Sequence, residues 1–342
     1  MIGEERFPVR HVLRSHSSSV RSLQFSPDGK VLASGAYDGS VLFHDPDSGA
    51  IVRRLDAPSK LVNSVAFSPD GKMLACAMND GSGVQVWDAA SGGVIKRLSG
   101  PNEYWYVRSV AFSPDGTLLA SGDYRENVWL WNTRTWENIR TMSEWQWIRE
   151  KLTLAQLRQK ERTYRHEKRP IYCVAFSPDG HVIAAGLDGR PARLWNARTG
   201  EEMIEMRISA ANSIAFSPDG RFMASAEAEG FFTLEGWVSL WRWEPWSKVR
   251  DWKPQGRYRP PLLLQSWRGR SSFNAVAFSP DSRWLAAGSA IDDVRIFDTE
   301  TYDMVAELKG HASYVNCVAI SPDGRYLASG SLDYTIIIRD VR

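Results

Sequence analysis

Residues 20–36 read VRSLQFSPDGKVLASGA, and this stretch decides the fold. A short apolar run ends at Phe25, Ser26-Pro27-Asp28-Gly29 reverses the chain, and a second run, Val31–Ala36, follows. Runs of that length bounded by turn residues suit strands buried on both faces. Pro presets φ at the second turn position, Ser and Asp bond nearby amides, and Gly tolerates the last position. The Ala, Ser and Gly of the second run leave room for a neighbouring layer to pack closely. The phrase returns six times: FSPDG at 67–71, 112–116, 176–180 and 216–220, FSPDS at 278–282 and ISPDG at 320–324. Successive Ser residues are 42, 45, 64, 40, 62 and 42 positions apart. A period near 40 marks a repeat architecture.

Each unit continues with a third run that ends in aromatic residues, as in Val84–Asp88, Val128–Asn132, Ala192–Asn196 and Val294–Asp298. A fourth run is shorter and more polar, as in Ile51–Leu55 and Val94–Leu98. Four such strands with short links make one antiparallel sheet. In the order and spacing of FSPDG, LASGS, the Trp-Asp or Trp-Asn pairs and Gly310-His311, the chain resembles the WD-repeat family of β-propellers. The resemblance covers nearly all of the chain. It implies an all-β, seven-bladed propeller: residues 1–342 as one domain, with four antiparallel strands per blade around a channel. The last unit stops after its third strand, Thr335–Asp340, and a spare strand, Val9–Leu13, precedes the first. In this family the N-terminal strand typically completes the last blade, which leaves no open edge.

The units also depart from the family pattern. The Trp-Asp pair reads His44-Asp45 in unit one, Trp241-Arg242 in unit five and Arg339-Asp340 in unit seven. A His at the Gly-His site occurs only in units one and seven, as His16 and His311. No unit has all four members of the family's hydrogen-bonded tetrad. Partial versions are expected at Ser34 with Asp38 and at Ser329 with Asp333, so packing rather than this network should hold the blades.

A chain of 342 residues, 43% hydrophobic, can bury a large core. Cys76, Cys173 and Cys317 lie alone in strands and read as small buried side chains, with no metal spacing and no disulfide set. The N-terminus has no apolar signal core and no run is long enough to span a membrane, so a soluble cytoplasmic protein is expected. There is no GxxxxGK[ST], no strand-linked GxGxxG and no HExxH. Ser-Pro-Asp is turn chemistry repeated seven times, whereas a catalytic group is singular. No enzyme activity, catalytic residue, cofactor, metal or small-molecule substrate is expected.

The net charge of +2 hides an asymmetry. The two long steps mark insertions. Residues 149–169 carry eight Lys/Arg against three Asp/Glu, and residues 242–270 carry eight against two, so the rest of the chain stands at −9. In the first insertion, about 143–168, Ser143 with Gln146 and Thr153 with Gln156 fit capping boxes and predict a short helical segment between blades three and four. It either presents Trp145 and Trp147 or packs its apolar side on the rim. In blade five, long loops are expected at about 227–236, with Phe231 and Phe232 at the tip, and at about 242–261, where Trp243, Trp246 and Trp252 alternate with Arg and Lys.

The resemblance implies a non-catalytic scaffold, a subunit or adaptor of a larger complex. In the family the top face near the channel is formed by residues opening the first strand and preceding the turn Asp. Here these are Arg21, Tyr37, Tyr106, Arg108, Tyr172, Tyr314 and Leu332, with Trp105, Tyr124 and Arg125 nearby. Trp, Tyr and Arg favour protein partners. One or more proteins, acidic ones among them, are the expected partners, and no membrane. The alternative is RNA or DNA held by the basic, aromatic-rich insertions.

Overall fold

In the computed structural model the described residues are 3–58, 60–100, 105–143, 169–228, 235–243 and 261–342. They form seven antiparallel four-stranded sheets. Six follow chain order. The seventh has the order Val9–Leu13, Ile336–Asp340, Tyr326–Ser331, Val315–Ile320. The ring therefore closes as expected, with Leu13 paired to Ile336 and Val12 to Ile337. Arg10 Nε donates to Asp340 Oδ1 at 2.7 Å across the same pair of strands. The expected fourth strand of blade five is present at Leu262–Gly269. The helical segment expected at about 143–168, the loop tip with Phe231 and Phe232, and Trp145, Trp147, Trp246 and Trp252 lie outside the described residues, apart from Ser143.

Local chemistry builds the units identically. In blade one, Ser26 Oγ donates to Asp28 Oδ1 at 2.6 Å and accepts from Val31 N at 3.0 Å, while Asp28 Oδ1 also accepts from Lys30 N. The Ser–Asp bond recurs in the other six turns. The Ser hydroxyl holds the Asp28 and Asp70 carboxyls below their ordinary pKa. Antiparallel order puts these turns, and those between third and fourth strands, on one face, the turn face. The links between blades and between second and third strands share the other, the loop face.

The second strands are buried along their length, save an end residue in four of them, and LASGA at Leu32–Ala36 and YLASGS at Tyr326–Ser331 are buried throughout. Their glycines are positions of close approach. A Cβ on Gly35 would meet Val62 Cγ1 at 2.5 Å, one on Gly122 would meet Ile171 Cγ2 at 2.4 Å, and one on Gly330 would meet Val20 Cγ1 at 2.6 Å. In each case the clash is with the first strand of the next blade. The seven hydrophobic clusters accordingly straddle neighbouring blades: Ala33, Val41 and Phe43 of blade one pack with Val62, Val65 and Leu74 of blade two.

Polar bonds stitch the same seams. Val65 N donates to Ser22 Oγ at 3.0 Å, and Val174 N to Ser109 Oγ at 3.0 Å. Asn63, Asn212, Asn274 and Asn316 each donate to a backbone carbonyl of the next blade, at Val107, Phe273, Val315 and Val20. On the outside of the closing seam, Asp47 of blade one gathers the Tyr326 hydroxyl, Arg325 and, through its carbonyl, His11 Nε2.

The tetrad is fuller than the sequence implies. In blade one His16 bonds Asp38 Oδ2 at 3.1 Å and Ser34 Oγ at 2.8 Å, and Ser34 Oγ meets His44 Nε2 at 3.3 Å. His44 thus stands where the family has Trp, its ring nitrogen reaching the Ser as an indole N–H does. In blade three Trp131 Nε1 donates to Ser121 Oγ at 3.0 Å, and in blade five Trp241 Nε1 donates to Ser225 Oγ. In blade seven the His311–Ser329–Asp333 part forms, while Arg339 turns away to the carbonyls of Phe7 and Lys309.

Two outcomes follow from this seam chemistry. A chain lacking residues 1–13 uncovers the edge of Ile336–Asp340, so its urea midpoint falls and it associates on size-exclusion chromatography. An unchanged monomeric profile would show that closure contributes nothing. Burial lowers the pKa of His16 and His311, and that of His44 to about 4 from the ordinary 6.5. The native state therefore binds fewer protons than the unfolded chain between these values. The stability from neutral imidazoles is full above pH 6.5 and is lost as pH falls toward 4, by as much as about 3 kcal/mol for His44. Urea titrations at several pH values should show that loss, and His44→Gln should flatten it.

Candidate functional site

Where blades one, three and four place Arg21, Arg108 and Tyr172, four others place the stapling Asn residues at the second position of the first strand. Arg21 turns instead to its own blade and to blade seven, while Arg108 and Tyr172 meet across blades three and four. Arg21 Cζ lies 5.1 Å from the Tyr37 ring centre, and its Nη1 donates to Asn316 Oδ1 at 3.2 Å. The Tyr37 hydroxyl donates to Asn63 Oδ1 at 2.9 Å. Blades seven, one and two are so joined around the loop-face entrance by one polar chain. Arg108 sits between Tyr172, at 4.4 Å, and Tyr124, at 5.3 Å, and Tyr106 stands edge-on to Tyr124. Burial, then Asp188, pushes the Tyr172 hydroxyl up to about 12, so it stays a neutral donor. Arg125 is exposed beside this group.

Two expected surface residues are internal. Trp105 is 3% exposed. Its indole donates to Asp123 Oδ2 and packs on Trp129 and Trp131, because Asp123 is a buried carboxylate that three side-chain donors, Trp105, Trp129 and Asn127, satisfy together with the amides of Arg125 and Asn127. Trp243 is 2% exposed and lies edge-on to Phe216 at 5.0 Å, its amide held by the Arg221 carbonyl. Both indoles complete cores and offer no surface to a partner.

Among the described residues, exposed large apolar side chains of the loop-face links cluster in blade seven, with Ile291 of blade six a further one at 41%. Tyr314 is 50% exposed and Tyr334 47%, with Leu332 exposed between them in sequence and its amide bonded to the Tyr314 carbonyl. Tyr334 was not singled out by sequence, although aligning SLDYT of unit seven on AYDGS of unit one displays it. The two turns share their Asp-centred hydrogen bonds, and blade seven adds one from Asp333 N to Ser331 Oγ, where blade one has Ala36. Asp38 Oδ1 accepts from Ser40 N at 2.9 Å and Asp333 Oδ1 from Thr335 N at 2.9 Å, and each Asp bonds its His at 3.1 Å. Blade one fills the left-handed position with Gly39 at φ 82°, blade seven with Tyr334 at φ 72°. A side chain there costs about 1 kcal/mol, and the turn does not need it.

Tyr334→Gly should therefore raise the stability of the ring by about 1 kcal/mol, measured by urea denaturation. A loss of similar size would show that the aromatic ring packs on the protein itself. Glu126, the other non-Gly residue with a positive φ at this turn position, has φ 63° but is buried and faces Arg190 of blade four at 3.9 Å.

No group of three or more potential metal ligands occurs among the described residues, and none of their helices is long and apolar enough to cross a membrane. The WD domain, G-beta repeat profile matches residues 7–45, 49–88, 92–132, 158–191, 262–298 and 302–340. The unmatched unit is blade five, whose third strand ends Trp241-Arg242 and whose links are the longest. Over 175 residues the chain is 24% identical to Periodic tryptophan protein 2 of Arabidopsis thaliana, covering 50% of this chain and 17% of that one. It is 24% identical over 163 residues to a Chromatin assembly factor 1 subunit of Schizosaccharomyces pombe, covering 43% and 30%. It is 28% identical over 134 residues to human Pre-mRNA-processing factor 17, covering 38% and 20%. The chain spans less than a third of the length of each of these proteins. With six repeats matched over more than half its length and seven four-stranded blades closed by its N-terminal strand, the chain belongs to the WD-repeat family of β-propellers.

Proposed function

We propose that this chain is a non-catalytic platform within a multi-protein assembly and that it docks partner proteins on its loop face. The observation that carries this reading is Tyr334. An aromatic side chain is kept exposed at a backbone position where a sister turn with the same Asp-centred hydrogen bonds uses Gly, beside exposed Tyr314 and Leu332. Strain retained where the fold does not require it marks a functional position. Tyr and Arg concentrate binding energy because they offer large contact areas and hydrogen bonds at little entropic cost. Arg21, Arg108 and Arg125 on the same face suit a partner that brings carboxylates beside its apolar anchors. The names of the relatives point the same way: one is part of an assembly factor and one is a pre-mRNA-processing factor.

Affinity purification of tagged protein from its native host, with and without nuclease, tests the reading. Partners should persist after nuclease and at raised salt, and Tyr314→Ser with Tyr334→Gly should cut their recovery at least tenfold with no fall in the urea midpoint. Recovery that collapses with nuclease or falls steeply with salt would assign the surface to RNA or DNA instead. Recovery untouched by the double substitution would overturn the docking site.

A further inference from the structure

The turn face has its own irregularity, at the seam between blades six and seven. In six units the residue before Ser-Pro-Asp is Phe; in unit seven it is Ile320. That phenyl has a defined task elsewhere. At the seam between blades seven and one, Phe25 stacks on Tyr326, the opening residue of the second strand of blade seven, with ring centres 6.4 Å apart and planes 19° apart. The corresponding residue of blade six is Trp284, which opens the strand Trp284–Ser289. Ile320 brings no ring to it. Phe7, which is buried, meets this indole at 5.4 Å with the planes tilted by 60°.

A cavity of about 290 Å³ lies there, walled by Trp284, Ile296, Ile320 and Leu327, with Phe7 at its outer end. It opens between the two Ser-Pro-Asp turns, so Asp281 and Asp323 stand at its mouth, both exposed. Each carboxylate is oriented by its own Ser and by the amide two residues on. Asp281 makes no ion pair among the described residues, and Asp323 has one at 4.0 Å, with Arg325, which Asp47 also holds. The volume exceeds one aromatic side chain, the floor is apolar, and the rim is anionic.

We propose that this seam is a second binding site, which receives an aromatic side chain next to a Lys or Arg in a partner polypeptide. The ring takes the place that Phe25 occupies against Tyr326 and lies on Trp284. The neighbouring cation meets Asp281 and Asp323. An apolar anchor in a pocket with a charged contact at the rim is the usual division of labour at such sites. The site is on the face opposite the proposed docking surface, so the two stand or fall separately.

The probe is N-acetyl-4-fluorophenylalanyl-arginine amide, followed by fluorine NMR against the full chain. The expected result is a saturable shift or broadening, at least fivefold weaker when Glu replaces Arg in the probe. Ile320→Phe restores the residue of the six sister units. It should keep or raise the thermal midpoint and weaken probe binding at least tenfold. Asp281→Asn with Asp323→Asn leaves the cavity intact and should raise Kd about fivefold, which keeps the test decisive should the first variant fold poorly. No saturable signal with the parent chain, or binding unchanged in the charge variant and in a folded Ile320→Phe, would overturn the site. Tyr314→Ser with Tyr334→Gly should leave the probe titration unchanged.

Discussion

A ring of seven sheets exists here because the first strand of each blade can approach the second strand of the preceding blade to within less than a methyl group. Val62, Ile171, Val315 and Val20 lean on Gly35, Gly122, Gly288 and Gly330 at distances that a Cβ would violate. Where the repeat carries Ala77 or Ala226 instead, that residue is also fully buried. Every other feature is arranged around this contact. The Ser side chains of the first strands and the Asn side chains at their openings reach across the same seams, where the backbone is already close enough to be bonded. Close packing confers rigidity, since such interiors do not deform continuously, and a rigid ring can hold its loops in fixed relation.

Because the seven units are built from one plan, each serves as the control for the others. Gly39 shows that Tyr334 is dispensable for its turn, and Phe25 on Tyr326 shows what Ile320 withholds from Trp284. The same comparison explains Ser282, which replaces the turn glycine in unit six at φ 63°. Its hydroxyl accepts from Asp219 N at 3.1 Å, a bond to the neighbouring turn that glycine cannot make. This substitution is recompensed inside the ring; those at 334 and 320 are not, and these two positions are the ones assigned to partners.

The repeat period, turn chemistry and closing strand were legible because each rests on local residues: Ser-Pro-Asp-Gly makes its turn wherever it occurs, and a unit ending after three strands requires a fourth. The network of blade one was not legible, since a His in place of Trp reveals its role only when its Nε2 is seen 3.3 Å from Ser34 Oγ. Trp105 and Trp243 lie in links that sequence assigns to the surface. Which way an indole turns there depends on a distant buried carboxylate, Asp123, or on a distant ring, Phe216. The seam pocket joins residues from near both ends of the chain and from two units between, so no window of sequence contains it.

The pairing of Val9–Leu13 with Ile336–Asp340 has a temporal side. Those partners are separated by more than three hundred residues, and ribosomes add roughly 5–20 residues per second. The strand Val9–Leu13 thus waits roughly 20–60 s for the strand that will pair with it, its backbone edge unpaired all the while. Six sheets can assemble as they emerge; the circle cannot. During synthesis the molecule is an open arc whose first and last strands lie unpaired until the final blade arrives.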